Sequence, residues 1–166
     1  VTLTVVHLSS EDELARFSSG TASVDAWFAE KAWSSRHIVQ TYVCYSETGA
    51  LIGCFALRLV VVHVMAFPSS LRGGANSDGE SIGLLLAQMG VQKERQGEGF
   101  GREIVRAAMV VATSIHASSP LQLFVVDAEN ESLIEYYKGL GLRHIEGSYR
   151  LLAPMSKIAK AIQASP

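Results

Sequence analysis

Twelve residues, Val91-Gln-Lys-Glu-Arg-Gln-Gly-Glu-Gly-Phe-Gly-Arg102, constrain what this chain can fold into more than any others. They lie between an apolar run, Ile82 to Val91, and an amphipathic run, Arg102 to His116. The order is strand, glycine-rich loop, helix start. Gly97, Gly99 and Gly101 let the backbone curl without Cβ clashes. In such a loop, the N–H groups that the first helical turn cannot pair internally converge on one point. The helix dipole and these donors both favour negative charge, so the spacing predicts an anion cradle with a diphosphate as guest.

Two familiar phosphate loops do not fit. A Walker loop ends in Gly-Lys-Ser/Thr, whereas Arg102 follows Gly101 with no Lys-Ser pair, which speaks against a nucleoside triphosphatase. A dinucleotide loop needs its third glycine five residues after the first. Arg102 and Ile104 occupy those places counted from Gly97 and Gly99. What remains is Gln96-x-x-Gly99-x-Gly101, with a plain glycine-rich turn as the alternative. In its strand–loop–helix setting this hexapeptide resembles the Arg/Gln-x-x-Gly-x-Gly/Ala loop of the GNAT N-acetyltransferases, which grips the pyrophosphate of acetyl-coenzyme A. The resemblance implies that Gln96, Gly97, Glu98, Gly99, Phe100, Gly101 and Arg102 hold that coenzyme. Phe100 is expected to pack under the loop and to serve through its backbone. Arg102 is either a phosphate partner or a solvated helix-face arginine.

Bulk properties are compatible with such an enzyme. With 166 residues, 48% of them apolar, the chain suits one domain, 1–166, with a real core. A net charge of −2 and a pI of about 6.2 mean that the molecule as a whole is no polyanion binder. Cys44 and Cys54 form neither a CxxC pair nor a metal spacing, so buried free thiols in a reducing cytoplasm and no metal are expected. The apolar run Leu59 to Phe67 is interrupted by His63 and too short to span a bilayer. The N-terminus shows no basic region or cleavage site, so a soluble, cytoplasmic protein without membrane partners is expected.

Along the chain, residues 2–8 read as a strand, followed by a capping box at Ser10-Glu-Asp-Glu13 that opens a short helix with Leu14 and Phe17. Val24, Trp27, Phe28 and Ala32 mark a second helix by their spacing. Thr41 to Ser46 and Leu51 to Val64 read as strands, and Phe67 to Glu80 as a loop rich in Pro, Ser, Gly and Asn. Leu121 to Asp127 reads as a strand and Glu131 to Gly139 as a helix with Gly141 at its C′ position. Leu142 to Ile145 and Ser148 to Ala153 form a strand pair, and Met155 to Ile162 a closing helix. Interleaved helices and strands predict an α/β domain with a mixed sheet covered on both faces. Gly90, inside the strand before the cradle, is of a kind that often marks a bulge or a close backbone approach; a bulge is expected, with strand 82–91 splaying from strand 121–127, and a harmless strand glycine is the alternative.

The resemblance extends over nearly the whole chain. Met89-Gly90-Val91 sits where GNAT enzymes carry the strand that bonds the pantetheine arm, which implies that these three residues also bind the coenzyme. Asn130 through Tyr136-Tyr137 to Leu140-Gly-Leu142 is similar to the family's second signature. It implies that Asn130 contacts the coenzyme, besides capping its helix, and that Tyr137 is the catalytic acid. The other face of that reading is a core aromatic, for which Tyr136 is the better candidate. A narrower likeness joins Phe17-Ser-Ser-Gly20, Val24-Asp25-x-Trp27-Phe28, Leu85 to Val91 and Arg150-Leu-Leu-Ala-Pro-Met155 to the toxin subgroup of type II toxin–antitoxin pairs. That subgroup acetylates the α-amino group of aminoacyl-tRNA and is neutralised by ribbon-helix-helix antitoxins. The chain departs from the subgroup pattern with Ser19 in place of a cysteine, Gln88 in place of an arginine and a shortened segment before the fourth strand.

The implied chemistry passes through a tetrahedral centre whose oxyanion a main-chain N–H, at Met89 or its neighbour, would stabilise. The Tyr137 phenol, with an ordinary pKa of about 10, would protonate the departing thiolate. No general base stands out among His37, His63, His116, Glu80 and Glu135. An α-amine, with a pKa near 8, needs less help with deprotonation than a lysine near 10.4, so this pattern leans toward an α-amine acceptor. For tRNA, Lys31, Arg36, Lys93, Arg95, Arg143 and Arg150 are the candidate phosphate contacts. A homodimer is compatible with the sequence. The alternatives are a GNAT enzyme acting on a small amine or a protein N-terminus, and a non-catalytic acyl-coenzyme A sensor.

Overall fold

A computed structural model describes residues 2–165. Its elements run β1 Thr4–His7, α1 Ala22–Glu30, β2 Gln40–Tyr45, β3 Leu51–His63, β4 Glu80–Val91, α2 Phe100–Ser118, β5 Leu123–Asp127, α3 Glu131–Gly139, β6 Arg143–His144, β7 Arg150–Pro154 and α4 Met155–Ala164. The strands form one seven-stranded sheet in the order β1-β2-β3-β4-β5-β7-β6. β4 and β5 pair in parallel. The β1–β2, β2–β3, β5–β7 and β6–β7 pairs are antiparallel, so the sheet is mixed, as the alternation of patterns predicts. By its contacts the chain groups into two compact units. One joins the residues up to Arg58 with Ala87–Ala108; the other joins Leu59–Leu86 with the residues from Met109 onward.

The first unit is built on a core of Leu8, Leu14, Phe17, Val24, Phe28, Val39, Val43, Cys54 and Ala56. Val43 and Cys54 are direct cross-strand partners, and so are Tyr42 and Phe55, whose rings stack with centroids 5.0 Å apart. The period of two thus sends one pair to each face. Close approach explains two glycines here. A Cβ on Gly53 would collide with the Gly90 carbonyl oxygen and stand 2.6 Å from Ile104 Cδ1. A Cβ on Gly90 would stand 2.8 Å from Phe17 Cζ and 3.2 Å from Val24 Cγ1. Gly90 is therefore a point where the backbone closely approaches core side chains, so it is no neutral strand glycine.

The second unit packs Val62, Val64, Leu71, Leu123, Val125 and Leu152 together, with Phe67 and Ile145 against them. Gly83 in β4 leaves room for Val125, whose Cγ2 would be 2.8 Å from any Cβ there. The β4–β5 register runs from Gly83↔Leu123 to Leu86↔Val126, and among the described residues the pairing does not continue beyond it. α3 has the limits expected from its periodicity, and Gly141 follows it at φ +95°. The segment expected as a loop after Phe67 holds one 3-10 turn, Ser69–Leu71, and an Asn76 side chain that accepts from the Asp78 and Glu80 amides.

The N-terminal segment departs from expectation. No capping box forms at Ser10, and Glu11–Leu14 is a single 3-10 turn with no side-chain cap. Four residues supply too few i→i+4 bonds to nucleate an α-helix. Glu13 instead accepts the Ser9 amide at 2.6 Å, the Ser9 hydroxyl at 2.8 Å and the Tyr45 phenol at 3.0 Å. Burial opposes ionisation of Glu13, but these donors outweigh it and hold its pKa below the ordinary value. α1 also ends earlier than its apolar spacing suggests; Ala32 lies in the turns that follow, and is buried there.

Gly53→Ala is expected to destabilise the protein by about 1–3 kcal/mol, the usual range for overpacking. The measurement is a lower urea midpoint with an unchanged slope; an unchanged midpoint would mean that the strands yield freely.

Candidate active site

The cradle forms where β4 gives way to α2. A 3-10 turn, Lys93–Arg95, leads from the strand, and the chain then passes Gly97 at φ +81° and Gly99 at φ +88°. Only glycine adopts such values without strain. Open space surrounds the Cβ positions of both. Gly101 differs: it lies inside the first turn of α2, so two of the three glycines, not all three, make the curl. The Gly99 carbonyl accepts the Arg102 amide at 3.2 Å and the Glu103 amide at 3.5 Å, which starts the helix. Among the described residues, the five successive N–H groups from Gly97 to Gly101 meet no acceptor within the chain. Five donors without a protein acceptor thus stand in succession at a helix N-terminus, where N–H groups and the helix dipole both favour negative charge.

Side chains around the loop mostly hold it in shape. The Gln96 carboxamide donates to the Ser19 carbonyl at 2.6 Å and to the Val91 carbonyl at 3.1 Å. It ties the loop to a turn 77 residues earlier, a structural duty its spacing alone does not reveal. The Glu98 carboxylate pairs with Arg95 at 3.2 Å, and the Arg95 guanidinium lies 5.0 Å from the centroid of the buried Phe100 ring. Phe100 therefore packs under the loop, as expected. The Arg102 side chain is exposed.

The turn that receives Gln96 is organised by Asp25, a residue that sequence reasoning placed only in the subgroup likeness. Its carboxylate accepts the Ser19 amide at 2.7 Å, the Ser19 hydroxyl at 2.6 Å, the Ser18 hydroxyl at 3.2 Å and the Gly20 amide at 3.2 Å. Burial opposes its ionisation, but the Ser19 hydroxyl and amide, with Ser18 and Gly20, outweigh that and lower its pKa. From the same turn the Ser18 carbonyl accepts the Lys93 amide at 2.8 Å, and the Ser18 amide donates to Gln92 Oε1 at 3.2 Å. Residues 18–20 and 92–96 are thus laced together by main chain and side chain. The signal in the sequence was a Ser-Ser-Gly cluster with an aspartate five residues after its glycine.

In the second unit, Asn130 caps α3: its Oδ1 accepts the Leu133 amide at 3.2 Å and the Ser132 hydroxyl at 2.5 Å. Tyr137 on that helix is buried, its ring 5.2 Å from the half-buried Tyr136 in an edge-on arrangement. The expectation that Tyr136 is the more core-like of the two is reversed in burial. Burial, then the neighbouring Tyr136 and Glu129, push the Tyr137 pKa far up, so its phenol stays protonated at neutral pH. Held in the protonated form, the phenol can act as a hydrogen-bond donor. Nearby, Arg150 is held by Asp127 in a two-pronged pair at 2.7 and 2.8 Å. Among the described residues there is no cluster of histidine, cysteine and carboxylate groups able to hold a metal.

A sequence model of the acetyltransferase (GNAT) family matches residues 5–142. The chain belongs to that family. It is 25% identical over 132 residues to the tRNA-acetylating toxin of Mycobacterium tuberculosis (strain ATCC 25618 / H37Rv), a match that covers 78% of each chain. Its fold is similar to that of AtaT complexed with acetyl-methionyl-tRNAfMet, with a TM-score of 0.80, 21% identity, and 96% and 99% of the two chains covered. It is also similar to a tyrosine-to-phenylalanine variant of the AtaT toxin bound to the C-terminus of the antitoxin AtaR and acetyl-CoA. There the TM-score is 0.77 at 20% identity, with 98% and 99% of the chains covered. At that identity the two structures establish a shared GNAT fold.

Removing the carboxylate in Asp25→Ala is expected to cost about 1–3 kcal/mol, the range for hydrogen bonds to a charged group. Because the bonds are made to the ionised form and the folded pKa is lowered, this stability is present above pH ~4 and lost as pH falls through the folded value. Urea midpoints measured at pH 7 and pH 3 check it: the gap between wild type and variant should narrow in acid.

Proposed function

We propose that this GNAT protein is an acetyl-CoA-dependent N-acetyltransferase that blocks translation by acetylating the α-amino group of aminoacyl-tRNA, as the toxin of a type II toxin–antitoxin pair. The reading treats residues 1–166 as one catalytic domain acting in the cytoplasm. Its partners are a ribbon-helix-helix antitoxin and a second copy of the chain. The observation that carries it is the run of five unbonded N–H groups from Gly97 to Gly101 at the start of α2. The curated tRNA-acetylating relative supports the choice of acceptor, and the fold similarity to AtaT in its tRNA and antitoxin complexes agrees with it.

Each residue then has a task. The main chain from Gly97 to Arg102 receives the paired phosphates, with the Arg102 guanidinium adding charge. Gln96 and Glu98 contribute through the shape of the loop and their backbone. Main chain at Met89, Gly90 and Val91 borders the pantetheine arm and polarises the acetyl carbonyl. When bound, the coenzyme supplies the acetyl group as a thioester. Asn130 fixes the first turn of α3 and lies beside the coenzyme, and Tyr137 holds a proton at its phenolic oxygen for the leaving sulfur. The acceptor α-amine, with a pKa near 8, is partly neutral at physiological pH and needs no strong base from the protein.

Charged tRNAs incubated with labelled acetyl-CoA, followed by mass analysis of the released amino acids, test the acceptor. Acetylated amino acids are expected; label found only on small amines or protein N-termini would overturn it. Tyr137→Phe is expected to lower kcat by about 100-fold or more, the typical share of a general acid, with coenzyme affinity retained. Loss of binding together with activity would assign Tyr137 to the core instead. Gly99→Val, forced into the left-handed region at a cost of about 1–3 kcal/mol, is expected to weaken coenzyme binding in calorimetry. Expression of the gene without an antitoxin should arrest growth, and normal growth would remove the toxin part of the reading.

A further inference from the structure

Two successive peptide planes, Ser18–Ser19 and Ser19–Gly20, are gripped from both sides. Both peptides are trans, and a trans peptide points its N–H and its C=O in opposite directions. On one side the Asp25 carboxylate accepts the Ser19 amide at 2.7 Å and the Gly20 amide at 3.2 Å. On the other side, the carbonyls of those same planes accept from the segment that leads into the glycine loop. Ser18 takes the Lys93 amide at 2.8 Å, and Ser19 takes the Gln96 carboxamide at 2.6 Å. The Ser18 and Ser19 hydroxyls add bonds to the carboxylate at 3.2 and 2.6 Å. The carbonyls left facing outward by Asp25 are therefore the ones that the loop uses.

Lys93 opens the 3-10 turn before the loop, and Gln96 follows it directly ahead of Gly97. The two bonds to residues 18 and 19 thus fix the chain immediately before the five unpaired N–H groups begin. An anion on the N–H side of a peptide also polarises it, which strengthens the carbonyl opposite as an acceptor. Among the described residues, Asp25 makes no side-chain bond of its own to residues 92–102, so its hold on the loop passes through the two planes. Glu13 offers a comparison within the same unit. It too gathers several donors, the Ser9 amide, the Ser9 hydroxyl and the Tyr45 phenol, but none of these belongs to the segment that meets the loop.

We propose that Asp25 is a positioning residue for the coenzyme phosphates: by holding the Ser18–Ser19 and Ser19–Gly20 peptides it sets the point from which the Gly97–Gly101 donors are presented. The inference rests on the coenzyme-binding reading above and adds to it a residue that acts without touching the ligand.

Calorimetric titration of acetyl-CoA into the full chain is the test, with circular dichroism reporting whether each variant is folded. Asp25→Ala frees both planes and is expected to weaken binding on the order of tenfold, the equivalent of roughly one hydrogen bond lost at the site. Asp25→Asn keeps one acceptor oxygen, enough for one plane, and is expected to fall between wild type and Asp25→Ala; it carries the test alone if the alanine variant does not fold. Glu13→Ala removes a carboxylate of similar connectivity and is expected to bind like the wild type. Gln96→Ala cuts the link itself. Because Asp25 acts through that link, Asp25→Asn combined with Gln96→Ala is expected to lose less than the product of the two single losses.

Wild-type affinity in the folded Asp25 variants, an equal loss in Glu13→Ala, or a double variant that loses the full product overturns the proposal and leaves the coenzyme reading in place. A wild type that binds no acetyl-CoA removes that reading, and this inference with it.

Discussion

A backbone N–H left without a protein acceptor must find one in water or in a ligand, and this chain concentrates five such groups in successive residues. That concentration is not something a helix end produces by itself. It requires Gly97 and Gly99 in the left-handed region and a fixed point from which the loop departs. The fixed point is the lacing of residues 18–20 to 92–96 by Gln96, Lys93 and Ser18, with the Asp25 carboxylate keeping the first of these segments in order. Behind the loop, Phe100, Ile104 and Val105 on the helix that follows are buried, so the donors stand on packed side chains. The arrangement of the donors is thus fixed before any partner arrives, by main-chain and side-chain bonds together.

What could be read from the sequence is what local rules control. The glycine loop between strand and helix, the periodicity and C′ glycine of α3, and the apolar runs of β3 and β4 are each decided within a few residues, and each appears in the structure. The mixed α/β sheet followed from the order of those elements. What escaped is what distant segments decide. Nothing near Gln96 says that its carboxamide belongs to Ser19, and nothing near Asp25 says that it governs a turn on which the loop leans. Nothing near Gly53 marks it as the point where a strand residue meets the Gly90 carbonyl. The N-terminal capping box failed for a related reason: Glu13 found better donors in Ser9 and Tyr45, the latter 32 residues away.

Charge shows a similar gap between count and availability. Among the cations that the sequence offers to a polyanion, Arg95 is paired with Glu98, Arg150 with Asp127, and Arg36 lies 4.1 Å over the Trp33 ring while donating to the Trp33 carbonyl. Lys31, Lys93, Arg102 and Arg143 are exposed. A nucleic-acid surface built from these would be modest, with a correspondingly shallow dependence on salt. Tyr137 makes the complementary point for acids: burial, the factor that most disfavours its anion, keeps its proton in place at neutral pH.

The bond from Gln96 to Ser19 closes a span of 77 residues. Until that span has closed, the glycine loop has only its local bonds, from Gln96 to the Val91 carbonyl and from Arg95 to Glu98, to shape it. A newly made polypeptide therefore gains the curved form of this loop only once residues 18–20 and 92–96 have met. Any small molecule captured there acts as a clasp on the whole architecture, raising its resistance to heat and proteolysis in proportion to the logarithm of ligand concentration.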